Sequence, residues 1–179
     1  ITQVGGTTLT TTGPGGSWMS ETVWNWGEGE GSSGGISSYY SIPTWQQGID
    51  MSANQGSTTM RNIPDVALTA DNVYVIADGG EQYTVGGTSC AAPLWAGFTA
   101  LVNQQAVGSS VGFINSAIYS IGKGSSYASA FHDITTGNNA WSESPGQFFA
   151  TSGYDICTGW GTPAGQKLIN ALMPPRTGF

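Results

Sequence analysis

Charged side chains are scarce in this sequence, and basic side chains are the scarcest. Among 179 residues there are only 4 Lys and Arg against 11 Asp and Glu, which gives a formal net charge of −7. The basic positions are Arg61, Lys123, Lys167 and Arg176. They are scattered along the chain, whereas nucleic-acid binding requires a basic face that neutralises phosphates. We therefore expect no nucleic acid among the partners of this protein.

The sequence also lacks a long apolar run. A membrane-spanning helix needs about 18 or more consecutive apolar residues, and no segment reaches that length. We therefore expect no membrane partner. Aromatic residues are plentiful, at 7 Trp, 7 Tyr and 6 Phe, which disfavours a disordered chain. The length and the 39% hydrophobic content fit one folded domain, or part of one.

The charged fraction of only 8% has two interpretations. Few carboxylates means that few groups gain a proton when the pH falls, so the fold loses little stability in acid. A surface rich in Gly, Ser and Thr is also typical of secreted, extracellular proteins in general. Composition alone favours this second interpretation, and adaptation to acid remains a hypothesis.

The sequence contains 2 cysteines, Cys90 and Cys157, and no cluster of Cys and His with zinc-ligand spacing. A disulfide and a pair of buried thiols are both open, because the distance between the two residues cannot be deduced from their spacing.

Strand-like and helix-like segments follow one another along the chain. β-branched and apolar runs predict strands, and apolar residues at three- and four-residue steps predict helices. The expected strands are a pair within residues 1–12 broken at Gly5-Gly6, then 63–68 and 73–77, followed by a turn at 78–80. The run VYVIA at 73–77 has the β-branched character of a buried strand. The expected helices are 91–105, 113–121 and 164–173, and 13–50 and 131–162 are expected to be loops. This alternation predicts an α/β layered fold with a largely parallel sheet.

Ser89 stands at a glycine-rich junction between a strand and a helix. A serine at a helix start lies beside free backbone N–H groups and the positive end of the helix dipole, which favour developing negative charge. An ordinary N-cap serine is the simpler interpretation of the tripeptide GTS alone. The longer context decides between the two.

The string GGTSCAAPLWAGFTALVNQ, residues 86–104, resembles the nucleophile segment of subtilisin-like serine peptidases. Other blocks resemble the sedolisin family, the acid-acting serine-carboxyl peptidases. These blocks are VGGTTL at 4–9, ETVWN at 21–25, SSGGISSYY at 32–40, PTWQQG at 43–48, PDVALTAD at 64–71, FHDITTGNN at 131–139 and YDICTGWGTPAG at 154–165. They follow the family order over essentially the whole chain.

The resemblance implies a subtilisin-like layered α/β fold with a mostly parallel sheet flanked by helices. Residues 1–179 would form the C-terminal part of a catalytic domain, with the nucleophile segment at 86–105 and Ser89 as nucleophile. In this family a glutamate takes the serine proton, an aspartate supports it, and a protonated aspartate donates to the oxyanion. A carboxylate base suits acid, where a histidine is already protonated.

The three acidic partners lie upstream of the VGGTTL strand in the family, and this sequence starts at that strand. We therefore expect an N-terminal segment or chain of the same domain to supply them, and none is assigned to Glu21, Glu28, Glu30 or Glu81. The expected activity is that of a serine-carboxyl endopeptidase on polypeptide substrates, with this segment alone inactive. The alternative is a catalytically incomplete, secreted binding or structural domain.

The resemblance also implies a calcium ion in the region 131–162. The matched ligand positions are Asp133, Ile134, Thr151, Gly153 and Asp155. Calcium prefers carboxylates and carbonyl oxygens on loops, and both blocks have this character. Two loop aspartates without the family match would more often form turns. His132 precedes Asp133 and is the only histidine in the sequence, but we expect it to form a local hydrogen bond or to face solvent, with no catalytic role.

Overall fold

The computed structural model describes residues 1–106 and 110–173. Its strands are β1 Val4–Thr11, β2 Trp18–Val23, β3 Asn25–Gly27, β4 Glu30–Gly31, β5 Gly35–Ser41, β6 Met60–Ile63, β7 Val66–Thr69, β8 Val73–Ala77, β9 Glu81–Val85, β10 Phe131–His132 and β11 Thr162–Pro163. Its α-helices are α1 Thr88–Gln105, α2 Asn115–Gly122, α3 Tyr127–Ala130 and α4 Gln166–Leu172, and a 3-10 helix covers Thr44–Gln46.

A three-stranded sheet carries the start of the fold. β1 lies between β2, to which it is antiparallel, and β7, to which it is parallel. β1 continues through Gly5 and Gly6, where the sequence predicted a break. Both positions are tightly packed, since a Cβ would lie 2.7 Å from the Cys157 carbonyl oxygen at Gly5 and 2.7 Å from the Ala70 Cβ at Gly6. The glycines thus permit close packing and do not interrupt the strand.

The prediction of a mostly parallel sheet is wrong for the described residues. β1 and β7 form their one parallel pair, and the other strand pairs are antiparallel. The reason lies largely in residues 13–50, which were expected to be loops but contain β2 to β5. The layered arrangement is seen locally, because α1 packs against β1 and β7.

The remaining segments follow the predictions more closely. β8 has its expected bounds and turn, but it pairs with β9 in an exposed hairpin and is not a buried strand. The expected strand at 63–68 is divided into β6 and β7 by Pro64 and Asp65. The three expected helices are present, and α1 begins at Thr88, three residues earlier than predicted. No helix in the described ranges is both long and apolar enough to cross a membrane.

The apolar core has a main cluster and smaller ones. The main cluster joins α1, α2 and α4 through residues such as Trp95, Tyr119 and Leu168. A second cluster lies beneath the region 131–162 and includes Ile134, Phe148, Ile156 and Cys157. That region is therefore anchored to the fold by its own buried side chains, although it contains little regular secondary structure.

Candidate functional site

Ser89 is exposed in the first turn of α1. The N-cap position is occupied by Gly87, whose φ of 137° is accessible to glycine but strained for other residues. No side chain caps this helix end. The interpretation of Ser89 as an ordinary N-cap is therefore incorrect, and its hydroxyl is not engaged in holding the helix start.

The immediate surroundings of Ser89 leave its polar groups unengaged. Within the described residues, no hydrogen bond is formed by the Ser89 hydroxyl or by its backbone N–H. The one acid in β2, Glu21, is engaged elsewhere, because its carboxylate accepts hydrogen bonds from Thr7, at 2.7 Å, and from Trp18, at 2.8 Å. Thr162 also donates to it. The Glu21 carboxylate is thus hydrogen-bonded to three residues other than Ser89.

The two glycines before α1 are held by two different contacts. The Gly87 N–H donates to the Ala70 carbonyl at 2.7 Å. Gly86 lies under the indole of Trp26, and a Cβ at Gly86 would be 2.3 Å from the nearest ring carbon. The Trp26 indole N–H in turn donates to Asp71 at 2.9 Å. Sequence reasoning missed Trp26 and Asp71, because their contact joins positions 45 residues apart.

The two aspartates proposed as metal ligands meet at one turn. Asp155 is fully buried, and its carboxylate accepts backbone N–H groups from Cys157 and Thr158, each at 2.8 Å, and from Thr151 at 3.1 Å. The Asp133 carboxylate accepts the Gly153 N–H at 3.0 Å. Both carboxylates therefore accept backbone N–H groups of the 151–155 segment.

The electrostatics of this turn suit a cation. Burial raises the pKa of Asp155 to about 6, although three backbone N–H groups oppose the shift. The described salt bridge joins Arg61 to Asp65 and leaves Asp155 without a basic partner. Burial and the nearby Asp133 charge also raise the pKa of Tyr127, whose buried hydroxyl has no hydrogen-bond partner in the described residues.

The donor set fits calcium in its chemistry. Two carboxylates and the carbonyls of Ile134, Thr151 and Gly153 would supply hard oxygen ligands on a loop. The described residues contain no cluster of three or more His, Cys, Asp or Glu that could hold a metal. A site here thus depends on backbone carbonyls as well as on the two aspartates.

Both cysteines are free thiols, which excludes the disulfide from the two alternatives. The Cys157 thiol is buried and donates to the Phe148 carbonyl at 3.2 Å, and burial raises its pKa. Cys90 is half-buried beside Ser89. The alternative of two buried thiols holds for Cys157, which is buried, whereas Cys90 is partly exposed.

His132 is held by an aromatic contact with a residue distant in the sequence, which differs from the expected local hydrogen bond or solvent-facing position. Its ring stacks on Trp18, with 4.2 Å between ring centroids and 5° between planes. Burial lowers the pKa of His132. The contact explains a structural role for this histidine.

Similarity to known proteins agrees with these features. No family model matches the chain. Kumamolisin of Bacillus sp. (strain MN-32) is 41% identical over 159 residues, covering 86% of this chain and 28% of kumamolisin. Tripeptidyl-peptidase sed1 of Aspergillus fumigatus is 41% identical over 116 residues, covering 63% of this chain and 17% of that protein. This chain thus spans less than a third of these relatives.

A solved structure extends the similarity to the fold. Pseudomonas sedolisin, a serine-carboxyl proteinase solved with two molecules of pseudo-iodotyrostatin, superposes with a TM-score of 0.79 and 34% sequence identity. The match covers 95% of this chain and 45% of the sedolisin chain. Sequence and structure therefore agree that this chain has a sedolisin fold, that it corresponds to a C-terminal part of the matched proteins, and that it belongs to the sedolisin family of serine-carboxyl peptidases.

Proposed function

We propose that the protein containing this chain hydrolyses polypeptides at acidic pH, with Ser89 as the nucleophile. The observation that carries this proposal is the exposed Ser89 hydroxyl at the N-terminus of an 18-residue helix, free of competing hydrogen bonds within the described residues. Residues 1–179 would form the C-terminal part of the catalytic domain, with the nucleophile segment at 86–105.

In this proposal the Ser89 Oγ attacks the scissile carbonyl carbon, the peptide C–N bond breaks as the leaving amine takes a proton from the protonated base, and water then hydrolyses the acyl-enzyme ester. The hydroxyl proton passes to a carboxylate base, which suits acid because an imidazole is protonated there. The free N–H of Ser89 and the positive end of the α1 dipole favour the negative charge that develops on the carbonyl oxygen. Of these parts, this chain supplies the nucleophile, the Ser89 N–H and the helix dipole.

The base and its supporting acids are proposed to come from an upstream segment or chain of the same domain. This proposal is supported by the surroundings of Ser89, because no carboxylate of the described residues is hydrogen-bonded to its hydroxyl. Glu21 and Asp71 accept hydrogen bonds from other residues. An unactivated serine is a weak nucleophile. We therefore propose that this segment is inactive alone. We also propose that the protein acts outside the cell in an acidic medium, where a low number of titratable groups limits the loss of stability on protonation.

The direct test is peptide cleavage by the whole protein, compared with its Ser89→Ala variant. An unfolded polypeptide and a peptide with a blocked N-terminus are assayed at about pH 4 and at about pH 7. We expect cleavage of both substrates in acid and its loss in the variant. Cleavage of the substrate with a free N-terminus alone would identify an exopeptidase, the kind of activity named in the relative tripeptidyl-peptidase sed1. Equal activity of the variant would overturn the proposal.

The second candidate function is a catalytically incomplete, secreted binding or structural domain. It is favoured by the absence of an acidic partner at Ser89 in the described residues. It predicts that the purified whole protein cleaves neither substrate and that a peptide aldehyde aimed at serine does not bind.

Calcium is proposed to bind in the region 131–162, through Asp133 and Asp155 and the carbonyls of Ile134, Thr151 and Gly153. When bound, the ion would neutralise the buried Asp155 charge and hold the 151–155 turn. Isothermal titration with CaCl₂ should show one site, and Asp133→Asn should weaken it. Equal heats for the protein and this variant would overturn the assignment.

A further inference from the structure

We propose that Trp26 and Asp71 are positioning residues for Ser89, acting through Gly86. This inference rests on the proposed peptidase function and adds a specific requirement to it. The pair lies outside the residues assigned above to chemistry or to calcium, and it contacts the backbone three residues before Ser89. We refer to Trp26, Asp71 and Gly86 as the clamp.

The first part of the clamp is the contact between an indole ring and a glycine. The three nearest atoms to a Cβ built at Gly86 are all Trp26 ring carbons, at 2.3, 2.6 and 3.1 Å. The ring therefore occupies the space that any larger residue at Gly86 would need. Only glycine allows the indole to lie directly on the backbone here.

The second part is the anchoring of the ring. Trp26 is 52% exposed, so burial alone fixes its orientation weakly. Its indole N–H donates to one Asp71 oxygen at 2.9 Å, and Thr8 donates to the other oxygen at 2.9 Å. Trp24 also contacts the ring edge to face, with centroids 5.4 Å apart. Hydrogen bonds to a carboxylate are stronger than neutral ones, so Asp71 is the main determinant of the ring position.

The consequence for Ser89 follows from the glycine pair. Glycine has the greatest backbone freedom, and two glycines in succession would let the start of α1 shift. Gly87 is fixed by its hydrogen bond to Ala70 at 2.7 Å, and Gly86 is fixed by the Trp26 ring. The clamp thus restricts the segment that sets the position of the Ser89 Oγ. Small displacements of a nucleophile reduce turnover strongly.

The test measures kcat and KM of the whole protein and its variants on one peptide substrate at acidic pH. Trp26→Ala should lower kcat about tenfold while KM changes less than about twofold, because the nucleophile moves and the rest of the substrate site remains. Trp26→Phe and Asp71→Asn should have smaller effects of the same kind. Trp18→Phe is the matched control, since its indole N–H also donates to a carboxylate, Glu21, at 2.8 Å.

A double-mutant cycle between Gly86 and Trp26 tests the contact itself. Gly86→Ala alone should lower kcat through the clash with the ring, whereas in the Trp26→Ala background it should lower kcat no further. Urea midpoints measured in parallel identify any variant that fails to fold, and Trp26→Phe then provides the milder test. Full kcat in Trp26→Ala, or effects that multiply in the double variant, would overturn the inference. Full activity of Ser89→Ala would overturn the proposed function first, and the clamp with it.

Discussion

The start of α1 and the region 131–162 are held in the fold in opposite ways. Ser89 is exposed and forms no hydrogen bond in the described residues, and Gly86, three residues before it, lies against a half-exposed indole. Asp155 is fully buried and accepts several backbone N–H groups of its own turn. Polar groups that remain free are available for chemistry, whereas those that are satisfied stabilise structure.

The two proposed sites depend on different parts of the protein. The turn around Asp155 is completed within this chain by backbone contacts and a hydrophobic cluster of its own. The Ser89 site, in contrast, is proposed to require acids from an upstream segment. Stability should therefore respond to changes in the region 131–162, and activity to changes near Ser89.

The largest change in the free energy of unfolding is expected at the contact between the region 131–162 and the segment that precedes β5. A Cβ at Gly34 would lie 1.6 Å from the Ile156 carbonyl oxygen, whereas a Cβ at the neighbouring Gly35 meets no atom within 4 Å. Gly34→Ala should lower the free energy of unfolding by about 4 kcal/mol or more. Gly35→Ala is the matched control and should change it by about 0.5 kcal/mol at most. Urea unfolding measures both, and equal values would show that this approach is not tight.

The next prediction compares the free energies of unfolding of one alanine variant from each region. Asp155→Ala removes the acceptor of three backbone N–H groups and should lower the free energy of unfolding by about 3 kcal/mol. Ser89→Ala removes a hydroxyl without a described partner and should change it by less than about 0.5 kcal/mol. Urea unfolding with a chelator present keeps calcium out of the comparison. Similar losses of unfolding free energy in both variants would show that the two regions do not differ in their contribution to stability.

A third effect concerns pH in the calcium-free protein. Burial raises the folded-state pKa of Asp155 to about 6, above its ordinary value of 3.8. The folded state therefore binds this proton more tightly than the unfolded chain does. Binding of this proton contributes up to about 3 kcal/mol to the free energy of unfolding. This contribution is fully present below about pH 4 and is lost as the pH rises through about 6.

Calcium should reverse this trend, because the ion requires the ionised carboxylate. The gain in melting temperature on adding CaCl₂ should therefore grow as the pH rises from about 4 to about 6. Calorimetry with chelator and with calcium measures both trends, and Asp155→Asn should abolish them. A calcium effect that is absent, or equal at both pH values, would contradict the assignment.

The sequence contained most of the information on the two sites and less on the sheet. Asp133 and Asp155 were matched from local blocks, and the structure brings them to one turn. The helix after Ser89 followed from its apolar spacing. Within residues 13–50, the strands β2, β3 and β4 pair with neighbours in the sequence, but they lie in a segment rich in Gly and Ser, a composition that predicts loops. In the same range, β5 pairs with a remote strand, as in the pairing of Gly35 with Ile63. Local alternation of apolar residues does not report such pairs.

The parallel-sheet prediction failed for a related reason. The run VYVIA has the β-branched character of a buried strand, yet Tyr74 and Ile76 are 60% and 62% exposed in the β8–β9 hairpin. Apolar character in a short run thus did not determine burial. Trp26 could have been noticed only through Gly86, as a glycine whose small size a distant ring requires.

The smallest effects come from single hydroxyls in the two regions. The Ser32 hydroxyl is buried, donates to the Cys157 carbonyl at 2.6 Å and accepts the Gly6 N–H at 2.9 Å. Ser32→Ala leaves both buried backbone groups without this partner and should lower the free energy of unfolding by about 2 kcal/mol.

The Thr8 hydroxyl donates to Asp71 at 2.9 Å from a partly buried position. Thr8→Val keeps the side-chain shape and a strand-favouring residue, and Asp71 retains its bond from Trp26, at 2.9 Å. We expect a loss of only about 0.5 kcal/mol in urea unfolding. Because Asp71 then holds the indole less firmly, kcat should fall while the urea midpoint barely moves. A stability loss equal to that of Ser32→Ala, with unchanged kcat, would show that the segment before Ser89 is held as firmly as the region 131–162.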